Sequence, residues 1–222
     1  KTILEGNKLK LVEKEFFRHK KNVFRVQDAG GAPLILKTGV DDMQVALLRA
    51  ARSLEHELCF RVPHIITSGD RWIVMEEIQG KFLYEFYESD ADWCVKISKE
   101  IADDYQRVIA KVMEKQSLGD LLAEGEAWVF SRLNLWSRPI VKIGLVEFSL
   151  VQQIAQGFEN IIAQKGEEFF GWSHGNIIGD HIIIRDGVPY LLDLEAVPRP
   201  GRGYYDFLRS LDFMILTSQN EE

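Results

Sequence analysis

The sequence predicts an α+β protein of two lobes, a small antiparallel β lobe with one helix and then a mainly helical lobe. Three observations predict it. Short β-rich runs separated by turn signals fill the first third of the chain. Long segments with apolar residues at helical spacing fill most of the remainder. The change of character falls at Glu77–Gly80, with no Pro/Gly-rich linker, so the lobes are expected at residues 1–78 and 79–222 about a short hinge.

Each element has its own signal. Leu9–Glu15 and Asn22–Asp28 are β-rich runs flanking a polar turn, and Ala29-Gly30-Gly31-Ala32 is a turn before the apolar run Pro33–Lys37. Met43, Val45, Leu47, Leu48, Ala51, Leu54 and Leu58 recur at helical spacing, so Asp41–Leu58 reads as a helix. Asp41 or Asp42 is its N-cap, since a short carboxylate accepts from first-turn amides. Ile65–Thr67 and Trp72–Glu77 read as a hairpin around Ser68-Gly69-Asp70-Arg71.

Past Gly80, Asp92–Lys115, Glu124–Trp136 and Ser149–Gln164 carry helical periodicity, and Trp172–Asp180 is turn-like. Ile182–Arg185 and Val188–Leu194 flank Asp186-Gly187, a strong hairpin signal. A last helix is expected over Tyr205–Leu216. Trp72, Trp93, Trp128, Trp136 and Trp172 fall on apolar faces and are expected to fill the core or the lobe interface.

Composition removes several classes of function. A 222-residue chain that is 46% hydrophobic and 27% charged can bury a sizeable core. A net charge of −7 argues against nucleic-acid binding, which needs a basic footprint. Charged residues interrupt every apolar run before it reaches the length of a membrane span. Cys59 and Cys94 form no disulfide framework or zinc pattern, and Lys1–Gly6 has no hydrophobic signal region, so a reducing cytoplasm is the expected setting.

The chemistry concentrates in Ser173-His174-Gly175-Asn176-Ile177-Ile178-Gly179-Asp180-His181, the hairpin, and Leu191-Leu192-Asp193-Leu194-Glu195. Phosphoryl transfer needs a cation on the nucleotide phosphates, carboxylates for Mg²⁺, and a group that orients the acceptor hydroxyl. One signature that supplies them is His-x-Asp-x-x-x-x-Asn, then a hairpin, then a metal-binding Asp. The segment resembles this pattern as it occurs in the aminoglycoside phosphotransferase and choline kinase-like family, which has a protein-kinase-like fold. Leu34-Ile35-Leu36-Lys37 looks like the family's nucleotide-binding Lys strand, and Ile73–Ile78 resembles its hinge strand. Tyr204-Tyr205-Asp206-Phe207 is similar to the start of its structural helix.

The resemblance implies ATP and Mg²⁺ as cofactors and a small-molecule hydroxyl as acceptor, with a protein partner as the alternative. It implies nucleotide contacts from Lys37, Glu76 and Ile78, with a helix Glu beside Lys37; Glu57 is the candidate. Asp193 is the implied metal ligand. His174 braces the loop that carries the catalytic position.

The departures bear on activity. Asn176 stands where the family has its catalytic Asp, and an amide oxygen is too weakly basic to take a proton. It can only orient an acceptor. His181 stands where the family has a metal-binding Asn, and imidazole suits Mg²⁺ poorly. Asp180 next door is an alternative carboxylate, and Glu195 is either a second metal carboxylate or a solvated residue. Phe16–Asn22 contains no Gly to let backbone amides approach phosphate, so it is either a solvated basic turn or a source of cations for the phosphates. His174, Asp180 and His181 could also be read as a transition-metal hydrolase site. Two readings of the whole remain: a kinase-like phosphotransferase with a degenerate loop, or a pseudokinase that binds nucleotide or a partner.

Overall fold

The computed structural model describes residues 2–13, 22–113, 118–201 and 204–218. Of the glycine-free turn, only Asn22 lies among them.

The β lobe is a five-stranded antiparallel sheet in the order β1-β2-β3-β5-β4. Its strands are β1 (Lys10–Glu13), β2 (Val23–Gln27), β3 (Pro33–Thr38), β4 (Ile65–Gly69) and β5 (Trp72–Glu76). Strand β3 is central, so its residues Leu34–Lys37 are buried whichever way they point. Strand alternation then sorts them. Leu34 and Leu36 pack with Val26 and Val74, and with Ile3 and Leu4 of helix α1 (Thr2–Gly6). Ile35 and Lys37 face the other way. The sequence carries no signal for α1, whose five residues hold their place by that contact.

Helix α2 (Asp42–Ser53) is capped by Asp41, whose carboxylate accepts from the Gln44 amide at 2.8 Å. It stops five residues short of the expected Leu58. Contacts to helix α3 (Ala91–Met113) turn the chain there: Asp104 accepts from the Cys59 amide at 2.6 Å, and Arg107 binds both the carbonyl and the carboxylate of Glu57. Capture of a backbone amide by a tertiary carboxylate competes directly with helical hydrogen bonding.

The hinge crosses tightly over the second lobe. A Cβ on Gly80 would lie 2.3 Å from the carbonyl oxygen of Ile184, so no side chain fits. Strand β6 (Lys81–Phe82) follows and pairs with β8 (Ile182–Arg185), which pairs with β9 (Val188–Leu191). Gly80→Ala is expected to cost about 1–3 kcal/mol, the usual penalty for forcing atoms into packed space. A thermal melt would show it.

Helix α3 runs through the centre of the core. Cys94, Ile97, Ile101, Tyr105 and Val108 form its buried stripe. Helices α4 (Leu118–Lys142) and α5 (Phe148–Lys165) form an antiparallel hairpin, with α4 continuing beyond the expected Trp136 and through Pro139. Trp136 is exposed rather than in the core. The turn-like stretch after Trp172 begins with strand β7 (Phe170–Ser173), because β10 (Val197–Pro200) returns to pair with it. Helix α6 (Tyr204–Ser218) closes the chain against α3. Among the described residues no helix is long and apolar enough to cross a membrane.

Candidate functional site

A cavity of about 740 Å³ lies between the sheet and the β8–β9 hairpin, closed on one side by the hinge. Strand alternation on β3 sends Ile35 and Lys37 into it, and on β2 sends Val23 and Arg25. Gln44 and Leu48 of α2 line it from above, while Ile183, Leu192, Asp193 and Leu194 form the opposite wall. Its volume falls within the usual range for small-molecule sites, roughly 300–1,000 Å³.

Lys37 and Asp193, 156 residues apart, meet there. The ammonium lies 2.6 Å from Oδ1 of Asp193, with side chains 11% and 19% exposed, so the contact is largely shielded from water. Asp193 adopts φ = 55°. A non-glycine residue in the left-handed region costs on the order of 1 kcal/mol or more, and the surrounding structure must hold it there. The loop is held by Leu192, whose amide donates to the His181 carbonyl at 2.8 Å and whose carbonyl accepts from His174 Nε2 at 3.2 Å.

Of the other residues singled out from the sequence, Asp180, His181, Glu76 and Ile78 also line the cavity. His174, Asn176, Glu195 and Glu57 do not. Glu57 is a correction: it lies beyond the end of α2, on the surface, paired with Arg107 rather than near Lys37. Gln44 occupies the α2 position that faces the cavity, and it carries no charge. Glu76 spends its carboxylate on the His64 amide at 2.9 Å. The carbonyl of Glu195 accepts from the Tyr105 hydroxyl at 2.6 Å, and its side chain is half-buried.

His174 is fully buried, with its ring tilted against that of Tyr105 at 5.1 Å between centroids. Burial, reinforced by neighbouring His181, lowers its pKa to about 4, so the ring is neutral at pH 7. Its Nε2, donating to the Leu192 carbonyl, ties the segment at His174 to the one that carries Asp193. Behind it sits Asp206, also fully buried, whose two carboxylate oxygens accept from the amides of His174 at 2.8 Å and Gly175 at 2.7 Å. Burial raises the Asp206 pKa to about 6 in spite of those two amides.

Asn176 and His181 touch each other. His181 Nδ1 lies 3.0 Å from the carbonyl oxygen of Asn176, to which it donates in the tautomer that carries the proton there. The Asn176 side-chain amide lies 3.3 Å from the same nitrogen. The other ring nitrogen, Nε2, is 3.8 Å from Asp180 Oδ1. Among the described residues no three His, Cys, Asp or Glu side chains gather into a metal-holding group.

Sequence reading missed one feature of the cavity. Arg25 Nε donates to Glu77 at 3.0 Å, and a second guanidinium nitrogen reaches the other oxygen, tying β2 to the hinge. The available signal was alternation, which puts Arg25 on the same face as Val23.

No protein-family model matches the chain, and no curated protein matches it significantly. Solved structures do. The gentamicin complex of the phosphotransferase APH(2")-IIa has TM-score 0.53 and 15% identity, over 93% of this chain and 72% of that one. An amicoumacin kinase, in complex with AMP-PNP, Ca²⁺ and Ami, has TM-score 0.53 and 11% identity, over 97% and 69%. A Plasmodium vivax ethanolamine kinase has TM-score 0.52 and 12% identity, over 96% of this chain and 62% of that one. At such identities likeness speaks for architecture, and it agrees with the strand order and lobe arrangement described above. The chain therefore has the two-lobed, protein-kinase-like fold of the aminoglycoside phosphotransferases and choline kinase-like proteins.

Proposed function

We propose that the chain binds ATP in the cavity between its lobes, with the lobe boundary at residues 78/79, and transfers a phosphoryl group slowly to a small-molecule hydroxyl. The observation that carries this reading is the Lys37–Asp193 contact at 2.6 Å, inside a cavity walled by the hinge. A shielded ammonium beside a carboxylate supplies what a polyphosphate with a divalent cation requires, a cation for the phosphates and an oxygen ligand for the metal.

The donor set fits both groups. Lys37 would hold phosphate oxygens, Ile78 and its neighbours would receive the base, and Asp193 with Asp180 offers the oxygen ligands that Mg²⁺ prefers. When bound, Mg²⁺ neutralises charge that develops on the phosphate oxygens. His181 contributes position rather than coordination, since Mg²⁺ prefers oxygen ligands to imidazole nitrogen. Asn176 orients the acceptor hydroxyl but accepts no proton. The transition state is loose, so the proton can leave late, and the missing base costs roughly 10²–10⁴-fold in rate.

A second reading, a pseudokinase that binds nucleotide or a partner without turnover, is favoured by the contact between Asn176 and His181, which turns both altered side chains toward each other. Turnover decides between them. ATP with Mg²⁺ is expected to raise Tm in the native chain and not in Asp193→Ala. Slow ATP-dependent phosphorylation across a panel of hydroxyl compounds, accelerated in Asn176→Asp, supports the enzyme. Stabilisation without turnover in either protein supports the pseudokinase. No stabilisation would remove the nucleotide site altogether.

A further inference from the structure

Among the described residues, nine of the sixteen exposed large hydrophobic side chains lie on α4, α5 and their connection. That concentration exceeds what a helix facing only water requires.

Two apolar stripes run along α5. Val151, Ala155, Phe158 and Ile162 face the protein's own fold, where Phe158 and Ile162 pack against Val129, Phe169 and Phe170. One position before each of them lie Leu150, Ile154, Gly157 and Ile161, about 100° round the helix. Leu150, Ile154 and Ile161 are exposed. Their spacing of four, three and four residues is that of a coiled-coil seam.

The spacing of the second stripe reads the same from both ends. Inverted, Leu150 falls on Ile161 and Ile154 falls on Gly157. A two-fold axis across the middle of α5 therefore makes the stripe complementary to itself, as an isologous interface requires. Gly157 is the recess for Ile154: a Cβ there would meet nothing within 4 Å in a single copy. Charge selects the direction. Glu147 at the N-cap and Lys165 in the last turn are exposed at opposite ends of the helix. Antiparallel pairing sets each Glu147 near Lys165 of the second copy, and it opposes the helix dipoles favourably. Parallel pairing would set like charges together.

We propose that α5 is a homodimer interface, in which a second copy of this chain packs antiparallel along Leu150, Ile154, Gly157 and Ile161. Phe148 and Leu145 extend the contact toward the tip of the hairpin. The interface is independent of the nucleotide site, so each can fail without the other.

Sedimentation equilibrium on the native chain, from about 1 to 100 μM, is expected to give the mass of a dimer at the upper end. Ile154→Glu is expected to weaken the dimer at least ~100-fold, as removal of a central apolar anchor does. Gly157→Leu should do the same by filling the recess, although the single-copy fold has room for the side chain. Melting curves of both variants verify that the fold is kept. A native chain that stays monomeric throughout the range overturns the proposal, whether or not it sediments with phosphatidylcholine/phosphatidylserine vesicles. So does a folded Ile154→Glu or Gly157→Leu protein that dimerises as tightly as the native one.

Discussion

Asp206→Ala is expected to lower stability by about 3 kcal/mol, because the buried amides of His174 and Gly175 lose their acceptors at roughly 1–3 kcal/mol each. The loss should appear first in the loop. Hydrogen exchange at those two amides is expected to accelerate more than in α3, and stabilisation by ATP should fall with it.

The same pair makes a pH prediction in which two opposite slopes overlap. Asp206 titrates near 6 in the folded protein instead of 3.8, because burial disfavours its charge. A carboxyl raised in this way contributes stability that is fully present below pH 3.8 and is lost as pH rises through about 6. His174 titrates near 4 instead of 6.5, again through burial. A base lowered in this way contributes stability that is present above pH 6.5 and is lost as pH falls through about 4. Each shift corresponds to about 3 kcal/mol, and between pH 4 and 6 they cancel.

Single substitutions expose each slope. Relative to the native chain, His174→Gln is expected to gain about 3 kcal/mol on going from pH 6.5 to 4, and Asp206→Asn to lose about as much. Urea denaturation across that range measures both. Parallel curves for native and variant proteins would show that neither group is perturbed.

Lys37→Ala is expected to abolish stabilisation by ATP and to cost about 2–4 kcal/mol without nucleotide. Asp193 keeps its shielded position when the ammonium 2.6 Å away is gone, and losing that attraction in a shielded place is expensive. The double variant Lys37→Ala/Asp193→Ala should lose less than the two single losses added together, by about 1–3 kcal/mol, because both single variants already lose the same contact. Asp193→Gly tests the strain: glycine takes φ = 55° freely, so part of the cost of losing the carboxylate should be returned. Additive single and double variants would mean that the contact contributes nothing to folding.

How much of this was legible beforehand differs by element. Strands β1 to β5, helices α2 to α6 and the β8–β9 hairpin follow from local pattern, since alternation, helical spacing and Asp-Gly turns are properties of short segments. The residues on one face of β3 followed from the same alternation, which points Lys37 away from Leu34 and Leu36.

Tertiary structure decided the partners. Helix α2 ends at Ser53 because Asp104 and Arg107, on a helix about fifty residues later, capture the chain beyond it, and this removes Glu57 from Lys37. Strand β7 forms because β10 returns to it, and α1 exists because β3 offers it a face. The Arg25–Glu77 tie, the contact between Asn176 and His181, and the choice of Asp193 as the partner of Lys37 all join residues that no local pattern pairs. Sequence alone determined which chemical groups this protein carries and on which elements; closure of long loops through the core decided which of them meet, because the interactions that reward such closure exist only once distant segments pack.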